Sequence, residues 1–289
     1  DMYALNSRVN DLYFGILLLD EQLKQNALLQ DELERNYRQI TAYVENGIAN
    51  QADLDAVKVE QLNTKQKRVE LASSRMAYLK MLSLLVGEKL SQETVLEKPV
   101  PQDDISAVGE IRRPELSLFN AQGVGLQVQE KALNVRHLPQ FGLFVQGAYG
   151  NPGLNMLKNE FSPYYIAGVR LSWNFGSLYT LKNDRKVIEN KRRQLDNNRD
   201  VFLFNTRLEM TQQDQAIQSL EKQMQDDDEI IRLRTNIRKS AEAKVANGTL
   251  TVTEMLRELT NESLARQSKA LHEIQRLMGI YQLKYTTND

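Results

Sequence analysis

From Val9 onward the apolar residues advance by alternating steps of three and four. Val9, Leu12, Ile16, Leu19, Leu23, Leu33, Tyr37, Ile40 and Val44 hold the series, and only Asn26 and Gln30 interrupt it with polar side chains. Apolar residues at that average spacing line one edge of a helix, so the pattern predicts the seam of a coiled coil. The series returns at a constant offset of 201 residues (248 − 47). Met210, Ile217, Leu220, Met224, Ile231, Ala241 and Val245 keep it apolar, while Gln213, Asp227, Arg234 and Arg238 break it. The motif Ala42-x-Val44-x-Asn46-Gly47 recurs at the same offset as Ala243-x-Val245-x-Asn247-Gly248. One long helix therefore occurs twice in the chain.

Each copy stops at Asn-Gly, because Gly47 and Gly248 can take the left-handed conformation that ends a helix. Each then restarts on a capping signal. Thr251-x-x-Glu254 has capping-box spacing and Asn50-x-x-Asp53 is a looser version, which predicts second helices over about 50–87 and 251–285. On the first of these, Leu62, Val69, Ala72, Met76, Leu79 and Val86 form an apolar stripe. Each unit is thus a long antiparallel helical hairpin, and an arm of some 40 residues would be roughly 60 Å long, a length suited to a rod or tube. Segment 88–112, with Lys98-Pro99-Val100-Pro101-Gln102-Asp103-Asp104, keeps no period and reads as an irregular connector. A further helix opens at Arg113-Pro114-Glu115-Leu116, with proline and an acid in its first turn, and Pro139 ends it.

Over Gln140–Gly150 and Tyr164–Phe175 the period falls to two. Tyr165, Ala167, Val169, Leu171, Trp173 and Phe175 form one face, opposite Gly168, Arg170, Ser172 and Asn174. Phe141, Leu143, Val145 and Tyr149 alternate in the same way. Runs of this length match the roughly 9–11 residues of a tilted membrane strand. Tyr149, Tyr164 and Tyr165 at one end and Trp173 at the other resemble two aromatic girdles, with 151–163 as the outer loop. A soluble sheet with one wet face gives the same alternation, but a lone hairpin is marginal and needs strands from elsewhere. The chain divides accordingly into 1–87 (helical hairpin), 88–112 (connector), 113–138 (helix), 139–176 (β-hairpin) and 177–289 (second helical hairpin).

Composition narrows the function classes. The 37 Lys+Arg nearly cancel the 38 Asp+Glu, so no basic field invites nucleic acid. Cysteine is absent, and the two histidines, His137 and His272, lack any zinc-binding or triad spacing. These residues point to no enzyme, no cofactor and no metal site. The charge runs Asp226-Asp227-Asp228-Glu229 and Lys191-Arg192-Arg193 read as solvated helix faces. The chain opens at Asp1 without a charged-then-apolar leader, which reads as a processed or truncated product.

Several motifs together resemble the TolC-like outer-membrane efflux proteins. Arg113-Pro114-Glu115-Leu116 resembles the Arg-Pro-Asp/Glu-Leu that opens the family's second repeat. Leu138-Pro139 resembles its Leu-Pro before a strand, Gly168-Val169-Arg170-Leu171-Ser172-Trp173 its Gly-x-x-Leu-Ser-Trp strand, and Gly248-Thr249-x-Thr251-x-x-Glu254 its periplasmic tip. The resemblance spans essentially the whole chain and implies a truncated subunit lacking the first helix and strand hairpin. It implies a mainly α fold of coiled-coil α-barrel type, whose one β-hairpin contributes to an outer-membrane β-barrel. It also implies a homotrimeric tunnel of a tripartite efflux or type I secretion system in a Gram-negative outer membrane and periplasm, exporting small molecules or polypeptides. Its partners would be a periplasmic adaptor, an inner-membrane pump and outer-membrane lipid.

On that reading Tyr165, Val169, Leu171, Trp173 and Phe175 face the membrane, while Asn46, Gly47, Asn247 and Gly248 form the tips. Asp53 and Glu254 become gate acids; Arg257 stands where the family can carry a second acid one turn on. Phe175-Gly176-Ser177-Leu178 departs from the family's Phe-Asp-Gly-Gly. Glu254 also has the spacing to close a capping box with Thr251. The other reading open to these residues is a soluble periplasmic coiled-coil scaffold or adaptor.

Overall fold

The computed structural model describes residues 2–100 and 110–288; Pro101, Gln102, Asp103 and Asp104 of the connector lie outside them. Along the chain come α1 (Met2–Glu45), α2 (Gln51–Val86), α3 (Pro114–Arg136), β1 (Gln140–Gly150), β2 (Ser162–Ser172), α4 (Ser177–Ala246) and α5 (Val252–Thr287). They divide into two compact units, Asp1–Ile111 with Arg207–Asp289, and Arg112–Thr206. Among the described residues no helix is long and apolar enough to cross a membrane.

In the first unit the repeated seam faces inward in both copies. Leu12, Ile16, Asn26, Leu33 and Ile40 are buried on α1, as are Met210, Ile217, Asp227, Ala241 and Val245 on α4. The remaining seam positions are half-buried. Leu12 and Ile16 pack on Leu79 and Leu82 of α2. Phe14 and Leu17 meet Ile274 of α5, and Met210 and Ile217 meet Ile280 and Leu283. Each such side chain contributes about 1.5–3 kcal/mol on burial. Heptad registry thus fixes which faces meet, and the largest cluster gathers where all four helices turn: Leu33, Ile40, Val57, Ala241, Val245, Val252, Met255, Leu256 and Leu259.

The α2 stripe read from sequence needs correction. Val57, Thr64, Leu71, Leu79 and Leu82 are its buried face; of the stripe read from sequence only Leu79 belongs to it, Met76 is half-buried, and Leu62, Val69, Ala72 and Val86 are exposed, Val69 at 62%. Two apolar stripes share this helix, and the one set by heptad steps through Val57, Thr64 and Leu71 meets α1. Beyond Gly87, residues 88–98 run back as a strap. Arg75 holds the strap by donating to the carbonyls of Gln92 and Thr94, both at 2.8 Å, while its guanidinium also pairs with Asp20. The Tyr13 hydroxyl donates to Glu97 O at 2.7 Å.

In the second unit α3 begins at Pro114 with Glu115 in its first turn, held by Arg113 at 2.5 Å. Burial pushes the Glu115 carboxyl up, but the hydrogen bond and charge of Arg113 outweigh this and leave it below its ordinary value. Arg113 also lies over the Phe202 ring at 5.2 Å, and Phe202 meets Phe119 at 5.8 Å between centroids. β1 and β2 form one antiparallel pair, with Leu143 opposite Val169 and Phe141 opposite Leu171.

Candidate functional site

The two helix tips are built alike, residue for residue. Gly47 has φ +71° and Gly248 φ +67°, the left-handed conformation expected of both. Ile48 N–H then reaches back to Tyr43 O at 2.8 Å, and Thr249 N–H to Lys244 O at 2.9 Å, satisfying carbonyls that the ended helix leaves open. The asparagines complete the motif. Asn46 Nδ2 donates to Ala42 O at 2.7 Å and Asn247 Nδ2 to Ala243 O at 2.8 Å, which explains why Asn-Gly rather than glycine alone is repeated.

The acids at the tips close capping boxes in both copies. Asp53 N–H donates to Asn50 Oδ1 and Asn50 N–H to Asp53 Oδ2, each at 3.0 Å, so the looser signal is a full box. Glu254 N–H donates to Thr251 Oγ1 at 3.2 Å, while Glu254 Oε2 accepts from the Thr251 hydroxyl at 2.9 Å and from its N–H at 3.2 Å. Those bonds, with Arg257 nearby, hold the Glu254 carboxyl below the usual carboxylate range. Among the described residues no hydrogen bond or ion pair joins Asp53 to Glu254. Arg257 is turned to solvent and reaches Glu258 at 3.4 Å. Glu254 and Arg257 border two grooves, one against Asn236, Ile237 and Ser240 of α4, the other against Ala56, Val59 and Glu60 of α2.

Above the tip lies a charged cluster that sequence reasoning missed. Glu262 on α5 is only 3% exposed and accepts from Thr235 Oγ1 at 2.7 Å, Arg238 Nε at 2.5 Å and Arg266 Nη2 at 2.7 Å. Arg238 also pairs with Glu242 on its own helix and lies 4.0 Å from Glu32 of α1, so α1, α4 and α5 share one network. Burial pushes the Glu262 carboxyl up, yet the hydrogen bonds from Arg266, Thr235 and Arg238 win and hold it below the ordinary range. Glu262 follows Val252, Met255 and Leu259 on the buried face of α5, and that placement was the available signal. The acidic run on α4 also differs from expectation. Asp227 is buried, 4% exposed, and contacts His272 Nδ1 at 2.9 Å; Asp228 pairs with Lys269. Asp227 is a seam position as well as part of a charge run, and the seam decides its direction.

At the hairpin the register brings the apolar residues of both strands to one face. Phe141, Leu143, Val145 and Tyr149 lie across from Leu171, Val169, Ala167 and Pro163, with Tyr165 beside them opposite Gly147. That face is bare: Leu143 is 86% exposed and Tyr165 80%. On the other face the Phe144 ring covers Gly168, where an added Cβ would come within 2.9 Å, and Arg170 sits 5.5 Å over the same ring. The strand is shorter than expected at its end, so Trp173 and Phe175 lie beyond β2. Ser172 pairs with Gln140, the first residue of β1, and Pro139 before it has no N–H to continue the ladder. Trp173 instead donates its indole N–H to His137 O at 3.1 Å and packs on Phe175 at 4.4 Å. Leu178 N–H and Tyr179 N–H bond to Phe175 O and Gly176 O, both at 3.2 Å, which starts α4 in the altered turn.

No protein-family model matches the chain, and no curated protein sequence matches it. Solved structures do match, each aligned over 99% of this chain. They include the outer membrane protein VceC of Vibrio cholerae at TM-score 0.78 and 11% identity, and the CmeC outer membrane channel of Campylobacter jejuni at 0.74 and 12%. The MtrE outer membrane channel of Neisseria gonorrhoeae, in its open state, matches at 0.72 and 13%. The chain spans 70%, 62% and 66% of those three proteins. Its fold is that of the TolC-like outer membrane channels, mainly helical with a two-stranded antiparallel sheet.

Proposed function

We propose that the chain is the greater part of one subunit of a trimeric outer-membrane channel serving a tripartite efflux or secretion system. The bare apolar face of the β-hairpin carries this reading. Two strands with Leu143 and Tyr165 almost fully exposed are unstable in water, and become favourable when lipid covers that face and further strands close the edges. The aromatic residues at the ends of the strands fit the two membrane interfaces, and the fold shared with outer membrane channels supports the same assignment. The helical hairpins would then form the periplasmic tunnel, with the exposed Leu62, Val69 and Val86 stripe covered by a neighbouring subunit. The tips at Asn46-Gly47 and Asn247-Gly248 would meet the adaptor and pump, and Asp53 and Glu254 would line the constriction while capping their helices. A carboxylate ring there favours cations.

Flotation with phospholipid vesicles tests this reading. Wild type floats, and Val169→Lys reduces insertion by about 2–4 kcal/mol per subunit while helix content is unchanged. A well-folded wild type that stays with the soluble fraction would favour the periplasmic scaffold instead.

A further inference from the structure

The basic side chains nearest the hairpin differ from those further along α4 in what they pair with. Arg192 meets Glu130 of α3 at 2.7 Å and Arg193 meets Glu189 at 2.6 Å, so two of the three cations at 191–193 are paired, while Lys191 is exposed and makes no ion pair among the described residues. Towards the strands the compensation stops. Arg185 donates only to the neutral side chain of Asn134, at 2.8 Å, and Lys182 and Lys186 are exposed and make no ion pair among the described residues. Asp184, the acid within this stretch, accepts from the Thr180 hydroxyl. One turn nearer the strands Tyr179 is 95% exposed, next to the half-exposed Leu178.

Apolar and aromatic side chains followed within two turns by unpaired cations match the layering of a membrane interface. Aromatic rings sit at the boundary and lysine or arginine stems reach to the phosphates beyond it. The distances agree. Lys182 and Lys186 lie about 8 and 14 Å along the helix from Ser177, against a polar zone roughly 5–8 Å deep on each side of the hydrocarbon and a long side chain to bridge the rest.

We propose that Lys182, Arg185 and Lys186 bind the phosphate groups of anionic phospholipids in the leaflet next to the helices, fixing how deeply the hairpin sits. This rests on the membrane reading of the hairpin. Charge complementarity selects the occupant: three cations against the single carboxylate of Asp184 leave a net positive stretch beside an apolar belt, which suits a negatively charged headgroup rather than a zwitterionic one.

Trp173 is the only tryptophan and stands between the hairpin and these cations, so its fluorescence reports the lipid around them. The protein is inserted into vesicles carrying either brominated phosphatidylglycerol or brominated phosphatidylcholine, and quenching of Trp173 gives the relative association of the two lipids. Wild type should prefer the anionic lipid by about fivefold or more, the effect of a single basic side chain near an anionic surface. The preference should fall towards one in a K182Q/R185Q/K186Q variant and at high salt, and persist in K191Q. Equal quenching by both lipids in wild type would overturn the headgroup site and leave the membrane reading standing. Quenching by neither lipid would overturn both. A preference unchanged in the triple variant would remove these residues from the site.

Discussion

At the residue scale the tips turn on two glycines and the packing above them on one glutamate. Gly47 and Gly248 have no atom within 4 Å of an added Cβ, so space does not require glycine there. Their positive φ does. Gly248→Ala should therefore cost about 1–2 kcal/mol in urea denaturation, and Gly248→Asn less, because asparagine tolerates the left-handed region. Glu262→Ala leaves Arg238 buried with fewer carboxylate partners and should cost about 3 kcal/mol or more. The sign of its pH effect follows from the lowered pKa of Glu262 in the fold. The network's contribution is complete above the ordinary carboxylate pKa and fades as pH falls through the folded value. Glu262→Gln should accordingly flatten the loss of stability below about pH 5. The tips were legible because Asn-Gly names a backbone conformation that few other residues adopt. Glu262 was not, since a charge on an apolar face stays hidden until the partners from two other helices are known.

At the element scale the seam was legible in both copies, although Asp227 was also read as part of a solvated charge run and is buried. Asn26, Asp227 and Arg238 point inward as the heptad requires and find partners there: Thr64 O, His272 and Glu262. On α2 the stripe read from sequence was not the buried face, which runs through Val57, Thr64 and Leu71, because the choice of face is made by packing on α1. Leu71→Ala should cost about 2–4 kcal/mol by thermal or urea unfolding, whereas Val69→Lys in the same helix should stay within about 0.5 kcal/mol in the isolated chain. The strap at 88–98 was read only as irregular, since what orders it is Arg75, many residues away. Arg75→Ala should raise hydrogen exchange and proteolysis across 88–98 while leaving α2 protected; equal protection in both proteins would mean that the strap is held by other contacts. The end of β2 was overread because alternation continues through Phe175 in sequence, while the ladder stops where Pro139 cannot extend it.

For the whole molecule, the offset repeat supplied the architecture. Periodicity alone fits a soluble sheet as well as a membrane strand, and it was the isolation of the hairpin that counted against the soluble sheet. The register and the exposure of one coherent apolar face are what support the proposed membrane strand. The decisive measurement is single-channel conductance of the intact subunit, with its full set of strands, in a planar bilayer, comparing wild type with Asp53→Asn and Glu254→Gln. Steady, cation-selective pores whose selectivity or gating shifts in both variants are expected. Pores indifferent to both substitutions would leave the two acids as helix caps only, and no conductance from well-folded protein would contradict the channel itself.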